Sequence, residues 1–312
     1  MRPAFSVVFL TTLIGAGQGL FLALFAVDAL SCAGVLAVPP ARFIGVGAGG
    51  AVALAILGLV ASFFHLGRPS RAWRSAAMWR TSWLSREVIA LPAFIGATAL
   101  WGWARIERPT LAPWIGAADV AICLALFVCT AMIYACIKFL QEWASPFTLA
   151  NFFLIGCASG FTIAAALAAI ASPAHAAALA AASLVLTAAA LATRLASLAR
   201  NARLRPKSTP QSAIGIAAAR IEQKSQGFMG TSFATREFFH GTSPARFAAI
   251  RRTFIGVGFL LPMAILAVAL LAGLPRLVLA APIVQFAGLI AERWFFLAQS
   301  NHPQNLYYRS MS

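Results

Sequence analysis

The sequence predicts an all-α integral membrane protein, a bundle of about eight transmembrane helices. Three observations predict this fold: 61% of the 312 residues are hydrophobic, only 10% are charged, and the mean hydropathy is +0.84. A soluble domain of this length carries about a quarter charged residues, so the composition excludes a soluble enzyme. The net charge of +16 does not indicate a nucleic-acid partner, because the basic residues lie between apolar runs, as in membrane proteins.

Eight apolar runs are each long enough to cross a bilayer, which requires about 20 mostly apolar residues. The first run is longer than a signal peptide and further spans follow it, so it is predicted to remain in the protein. Residues 1–312 are therefore predicted to form a single transmembrane anchor domain. The predicted spans are 5–30, 43–66, 87–104, 112–138, 147–172, 176–199, 253–273 and 276–298.

The longest polar stretch, 200–252, is a basic loop between spans six and seven and is predicted to hold a short surface helix. With eight spans, this loop shares one membrane face with both termini and with the loop between spans two and three. Twenty of the 24 Lys and Arg residues fall on that face. The positive-inside rule then places both termini in the cytoplasm. The alternative is that the basic face docks an acidic partner subunit.

Ionisable side chains at membrane depth are costly, so the few that occur are candidates for function. His65 closes the second span and Glu87 opens the third, and an antiparallel hairpin brings both to the same face. An imidazole and a carboxyl group could hydrogen-bond the head group of a quinone and exchange its two protons. The structural alternative is that His65 caps its helix and Glu87 complements a helix dipole.

Two further acidic residues are expected to form structural or interfacial pairs. These pairs are Asp28 with Arg2 or Arg42, and Glu292 with Arg293.

Several kinds of site are not indicated by the sequence. A membrane cytochrome usually needs two facing histidines for each haem, and His175, His240 and His302 are expected in loops or the tail. The five cysteines lack CxxC spacing, so neither an iron–sulfur cluster nor a metal site is predicted. No GxxxxGK motif marks an ATP-driven pump. Electrons handled here would have to pass to a cofactor on another subunit.

One segment resembles a known family closely. The run from Ser62 to Val88, SFFHLGRPSRAWRSAAMWRTSWLSREV, is similar to the corresponding hairpin of the dimethyl sulfoxide reductase membrane anchor family (DmsC-type). MGTSFATREFFHG, from Met229 to Gly241, resembles a long-loop motif of one branch. ERWFFLAQSNHPQNLYY, from Glu292 to Tyr308, resembles the C-terminal ending of that branch. The likeness covers essentially the whole chain.

The resemblance implies a membrane anchor in the bacterial cytoplasmic (inner) membrane. Such anchors hold a four-cluster iron–sulfur subunit and a molybdopterin catalytic subunit. They oxidise menaquinol or another quinol and pass its electrons to the nearest cluster, with no haem or cluster of their own. The family's quinol-binding His and acidic residue match His65 and Glu87. Basic residues of the hairpin are expected to dock the iron–sulfur subunit or, alternatively, to bind phospholipid head groups; they include Arg68, Arg71 and Arg74.

Two other functions stay open. The membrane component of a polysulfide or nitrite reductase would perform the same quinone chemistry. A secondary transporter would need buried charges near the midplane and inverted repeats. Asp119 is the candidate for such a charge, and it is otherwise expected to bind a polar group of a neighbouring helix or to lie near the interface. Family members with an exported catalytic subunit would place the hairpin outside, whereas the charge count places it inside.

Overall fold

The computed structural model describes residues 1–222, 239–303 and 305. In this part of the chain eight helices are long and apolar enough to cross a membrane, which confirms the predicted bundle. A ninth, short helix joins the sixth and seventh spans. The helices are α1 Phe5–Cys32, α2 Ala41–Phe63, α3 Trp83–Glu107, α4 Ala112–Ala135, α5 Pro146–Ala171, α6 Pro173–Ala202, α7 Pro210–Ile214, α8 Pro244–Leu271 and α9 Pro275–Ala298.

Serine and proline set where several spans begin. The side chains of Ser82, Ser145 and Ser243 accept backbone N–H groups at the starts of α3, α5 and α8. A serine oxygen there satisfies a donor that has no partner within the helix. Proline occupies the first position of α5 and α8, where its missing N–H costs nothing. These serine and proline residues therefore mark where the spans begin.

The loop between α6 and α8 is shorter than the predicted 200–252. Helix α6 continues to Ala202, and α8 begins at Pro244 rather than near 253, so its first three turns carry basic residues. The predicted surface helix is α7, and residues 223–238 lie outside the described part of the chain.

Helix α1 is the most deeply buried span and packs against α2 and α5. Its contact with α5 depends on small residues: a Cβ on Gly160 would overlap the backbone of Gly19, and one on Gly19 would overlap that of Gly156. Small residues let helix backbones approach closely where lipid provides no hydrophobic drive for association. These glycines therefore let α1 and α5 pack backbone against backbone.

Hydrogen bonds join the N-terminus, the segment after α9 and two loops at one end of the bundle. The Met1 amino group donates to the carbonyl of Ser300 at 3.0 Å, beyond the C-terminal end of α9. The Arg200 guanidinium donates to the carbonyl of Gln141 at 3.0 Å, and Gln141 donates to the carbonyl of Arg205 at 3.3 Å. This end of the bundle, called here the N-terminal face, also receives the loop between α2 and α3.

Two of the arginines counted on the N-terminal face are not surface charges. Arg194 is fully buried in α6 and Arg293 is 4% exposed in α9. Arg194 lies within the predicted sixth span, 176–199, but its count among the basic residues of the face was wrong, because α6 carries it inside the bundle. The excess of basic residues on this face persists without these two.

Candidate functional site

Glu87 lies in the second turn of α3 and points into the bundle. It is 6% exposed, and one carboxylate oxygen accepts a hydrogen bond of 2.6 Å from the Thr130 hydroxyl of α4. Within the described residues no cation forms an ion pair with it. A helix-dipole role would place the acid in the first turn at the surface, and the first turn of α3 contains no acid. The position of Glu87 therefore does not match the helix-dipole role.

His65 lies just beyond the end of α2, at the start of the segment 64–82, called here the basic hairpin. Its side chain is on the exposed side of the hairpin, whereas Glu87 is buried. Partial burial lowers the pKa of the His65 imidazole, so the ring is neutral near pH 7 and able to accept a proton. In the described structure no hydrogen bond joins His65 to Glu87. The fold brings both residues to the same end of the bundle without a hydrogen bond between them.

The basic hairpin presents guanidinium groups and aromatic rings to its surroundings. Arg68, Arg71 and Arg74 are all exposed, and none forms an ion pair with a described residue. Trp73 is 71% exposed, with the Arg74 guanidinium 5.5 Å from its ring centre, and Trp79 is 52% exposed. Tryptophan and arginine are enriched at the energetic centres of protein interfaces. The hairpin thus presents an exposed surface of arginine and tryptophan side chains near the start of α3.

Arg86 holds the end of this hairpin against the start of α3. Its guanidinium donates to the carbonyls of Trp79 and Arg80 at 2.9 and 2.8 Å and lies 4.2 Å from the Trp83 ring centre. The residue before Glu87 in sequence therefore fixes the hairpin relative to the carboxyl group.

A second group of buried charges lies between α6 and α9. Arg194 Nε is 2.7 Å from one oxygen of Glu292, and Arg293 Nε is 3.9 Å from the other. All three side chains are at most 5% exposed. The Arg293 guanidinium also lies 3.9 Å from the ring centre of Phe152. The predicted Glu292–Arg293 pair exists, but the closer partner, Arg194 of α6, was not predicted, because nothing local in the sequence places it beside α9.

Of the other predicted contacts, that of Asp28 needs a correction and that of Asp119 does not. Asp28 does not pair with Arg2 or Arg42 but with Arg105 of α3, whose Nε lies 2.7 Å from it. Asp119 accepts a hydrogen bond from Thr98, which confirms the expectation that it binds a polar group of a neighbouring helix.

His175 was expected in a loop and instead lies in the first turn of α6, where it is 2% exposed. One ring nitrogen is 2.7 Å from the Ser172 hydroxyl and the other is 2.9 Å from the carbonyl of Ala37. Because a carbonyl only accepts, the second nitrogen is the donor. Both nitrogens are engaged in holding the loop between α1 and α2 to α6.

A cavity of about 920 Å³ opens on the N-terminal face. Neither His65 nor Glu87 lines it; its lining includes the N-terminal amino group, His240 and His302. Burial lowers the pKa of both imidazoles, and the nearby amino group lowers it further. Burial also lowers the pKa of that amino group to about 6. The cavity belongs to the layer of loops and chain ends rather than to the basic hairpin.

The two other motifs lie partly outside the described residues. Of the loop motif at 229–241, only 239–241 is described, and of the C-terminal motif, residue 304 and residues 306–308 fall outside.

An eight-span bundle with a buried carboxyl group beside a basic, aromatic hairpin defines a multi-pass membrane protein with an exposed, arginine-rich surface at one end. The comparisons with known proteins give the particular family: the DMSO reductase anchor subunit (DmsC) family matches residues 1–308. The chain belongs to this family and is a membrane anchor subunit of a molybdoenzyme complex.

The chain is also 48% identical, over the full length of both proteins, to a sulfite dehydrogenase subunit from Allochromatium vinosum. No solved structure matches the chain. Membership of the family supports the interpretation as an anchor over that as a transporter.

We expect Arg194→Met to destabilise the bundle by about 3–5 kcal/mol, because it leaves the Glu292 carboxylate buried without its closest partner. The double variant Arg194→Met/Glu292→Met should recover much of this loss, since it removes both charges. The measurement is the thermal unfolding midpoint of the purified complex, with Arg276→Met, an exposed residue of the opposite face, as control. A double variant no more stable than Arg194→Met would contradict the assignment of this pair.

Proposed function

We propose that this chain exchanges electrons and protons with a membrane quinone at the basic hairpin, with Glu87 and His65 as the proton-exchanging ligands of the head group. One observation carries the proposal: Glu87 is a buried carboxyl group with a single hydroxyl donor and no described cation, one turn inside the face that carries His65. Proton exchange at such a group breaks no ion pair, whereas protonation of an ion-paired carboxylate does.

The chemistry requires two protons for each pair of electrons. A quinone that takes two electrons and two protons becomes a quinol, and the reverse reaction returns them. In this proposal Glu87 serves the oxygen nearer the bundle and His65 serves the oxygen nearer the membrane surface. During quinone reduction each group, in its protonated form, gives its proton to that oxygen and takes another from water at the membrane face. During quinol oxidation each group takes up a proton, which the neutral imidazole of His65 can accept directly. The apolar tail of the quinone stays in lipid. The electrons pass between the head group and an iron–sulfur cluster of a partner subunit docked on the same face.

The direction of flow that we favour is from the partner subunits to quinone. The relative that is 48% identical over its full length is named a subunit of sulfite dehydrogenase. Oxidation of sulfite with water to sulfate releases two electrons and two protons, and the electrons would reduce quinone to quinol at the hairpin. This direction is opposite to the quinol oxidation that the sequence resemblance implies.

Quinol oxidation is the second candidate, because the family model that matches 1–308 describes the anchor of a reductase. An anchor of either kind has the same site, since each step at the head group is reversible. The distinction rests on the catalytic subunit, and therefore on which substrate supports turnover of the whole complex: sulfite with added quinone, or dimethyl sulfoxide with added quinol.

The partner in this proposal is a four-cluster iron–sulfur subunit, which holds a molybdopterin catalytic subunit. Its dock is the basic hairpin, where Arg68, Arg71 and Arg74 are exposed and without described ion-pair partners. An acidic patch on the partner would complement them. The charge excess of the N-terminal face favours a dock on the cytoplasmic side of a bacterial inner membrane.

Replacement of Glu87 by Gln should lower quinone-dependent turnover of the assembled complex by about 100-fold, because proton transfer by a positioned side chain contributes about that much or more. The bond from Thr130 can persist to the amide oxygen, so assembly should be retained. His65→Ala should also lower turnover. The measurement is sulfite:quinone reduction by the purified complex, repeated in the direction of quinol oxidation.

Glu107→Gln is the matched control, since Glu107 lies at the exposed far end of the same helix. Undiminished turnover of the Glu87 variant, together with unchanged binding of a quinone-site inhibitor, would show that the carboxyl group is not a ligand of the head group.

Charge reversal of Arg68, Arg71 and Arg74 to Glu should weaken retention of the iron–sulfur subunit, because like charges would then face each other across the interface. The readout is the fraction of that subunit that stays with the chain through detergent extraction at increasing salt. The control reverses Arg42 and Arg276, which are exposed on the opposite face. Equal retention in the two variants would exclude this dock and leave lipid head groups as the partners of these arginines.

A further inference from the structure

Helices α3 and α4 carry the same acid–hydroxyl pair twice, in opposite directions. Glu87 of α3 is hydrogen-bonded by Thr130 of α4 at 2.6 Å, and Asp119 of α4 is hydrogen-bonded by Thr98 of α3 at 2.7 Å. On each helix the acid and the threonine are eleven residues apart. Three turns of helix therefore separate the two pairs, about 16 Å at 1.5 Å per residue.

The second pair is more completely enclosed than the first. Asp119 and Thr98 are both 0% exposed. Asp119 Oδ2 accepts the hydroxyl of Thr98, and Oδ1 has no hydrogen-bond partner among the described residues. No described Lys, Arg or His forms an ion pair with it, whereas Asp28 and Glu292 each have an arginine. Among the described acids of the bundle interior, it is the one that is both fully enclosed and without a cation.

An ionised carboxylate in this position would leave a full negative charge in a hydrocarbon environment with one hydroxyl donor. Burial of a charge without a counter-charge costs far more than burial of a neutral acid, so such a group takes up a proton. No group of three or more His, Cys, Asp or Glu residues that could hold a metal ion occurs in the described part of the chain. The ligand that fits Asp119 is therefore a proton rather than a metal ion.

We propose that Asp119 and Thr98 form a second proton-binding site, which is occupied at neutral pH, so that Asp119 is a neutral carboxylic acid. The site stores its proton and does not exchange it with Glu87. On α3 the buried residues between the two pairs are Leu91 and Phe94, whose side chains carry no proton. On α4 they are Cys123, Leu126, Phe127 and Cys129, and the Cys123 thiol is hydrogen-bonded to Gln18 of α1 rather than to either acid. Both pairs thus consist of a buried acid hydrogen-bonded by a threonine of the other helix, but they differ in how near the acid lies to the membrane face. Glu87 lies one turn from that face, and Asp119 has no exposed surface.

Infrared spectroscopy of the assembled complex in lipid nanodiscs tests this proposal. The wild type minus Asp119→Asn difference spectrum should show the C=O stretching band of a protonated carboxylic acid. Thr98→Val keeps the acid but removes the hydrogen bond to its oxygen, so the band should move to higher frequency. After transfer to D₂O the band should shift only slowly. Glu87→Gln is the matched control and should leave this band in place.

The test does not depend on the quinone proposal, since it needs no turnover. If the Asp119→Asn substitution removes carboxylate bands and no acid C=O band, Asp119 is ionised. That result would overturn the proposal. If Asp119→Asn does not assemble, Thr98→Val decides alone: a shifted acid band supports the site, and an unchanged spectrum in this region excludes it. Rapid exchange in D₂O would contradict the storage role.

Discussion

The structure depends on one constraint: the hydrocarbon core of a bilayer offers no hydrogen-bond partner to a polar group, so each must find its partner inside the bundle. The interior ionisable groups meet this constraint through contacts between different helices. Each contact joins two spans that lipid alone would not hold together in one orientation. The contacts are Asp28–Arg105 between α1 and α3, Glu87–Thr130 and Thr98–Asp119 between α3 and α4, and Arg194–Glu292 between α6 and α9.

The same constraint gives the buried ionisable groups two different roles. The interior arginines pair with carboxylates, and such pairs fix helix positions and leave little freedom to exchange protons. Glu87 and Asp119 are held only by hydroxyl groups among the described residues, which leaves their protonation free to differ from that of an ion-paired acid. Of these two, Glu87 lies beside the basic hairpin and so has access to a head group at the membrane face. Access, rather than residue type, distinguishes a site that exchanges protons from one that stores a proton.

Much of the fold could be predicted from the sequence, because apolar runs of span length are a direct consequence of bilayer thickness. The prediction failed where a polar residue is accommodated by a partner distant in sequence. Arg194, near the end of the predicted span 176–199, looks like a charge of the membrane face, and only the approach of Glu292 from α9 shows that it is buried. His175 likewise looked like a loop residue, because its carbonyl and hydroxyl partners cannot be read from spacing. The start of α8 was misplaced because its first turns are basic.

For the candidate site, the sequence predicted the hairpin and its membrane face but not its contacts. Thr130 is one of many threonines in apolar spans, and nothing local marks it as the partner of Glu87. A signal was nevertheless present. The intervals Glu87 to Thr98 and Asp119 to Thr130 are equal, and in an antiparallel helix pair equal intervals place each acid opposite the other helix's hydroxyl.

The central claim, that a quinone head group meets the bundle at Glu87 beside the basic hairpin, is tested most directly by a cryo-EM map of the assembled complex with a bound quinone-analogue inhibitor. We expect head-group density within hydrogen-bond distance of the Glu87 carboxyl group, on the N-terminal face and adjoining the docked iron–sulfur subunit. Density at the opposite face, near the loops 33–40 or 108–111, would contradict it.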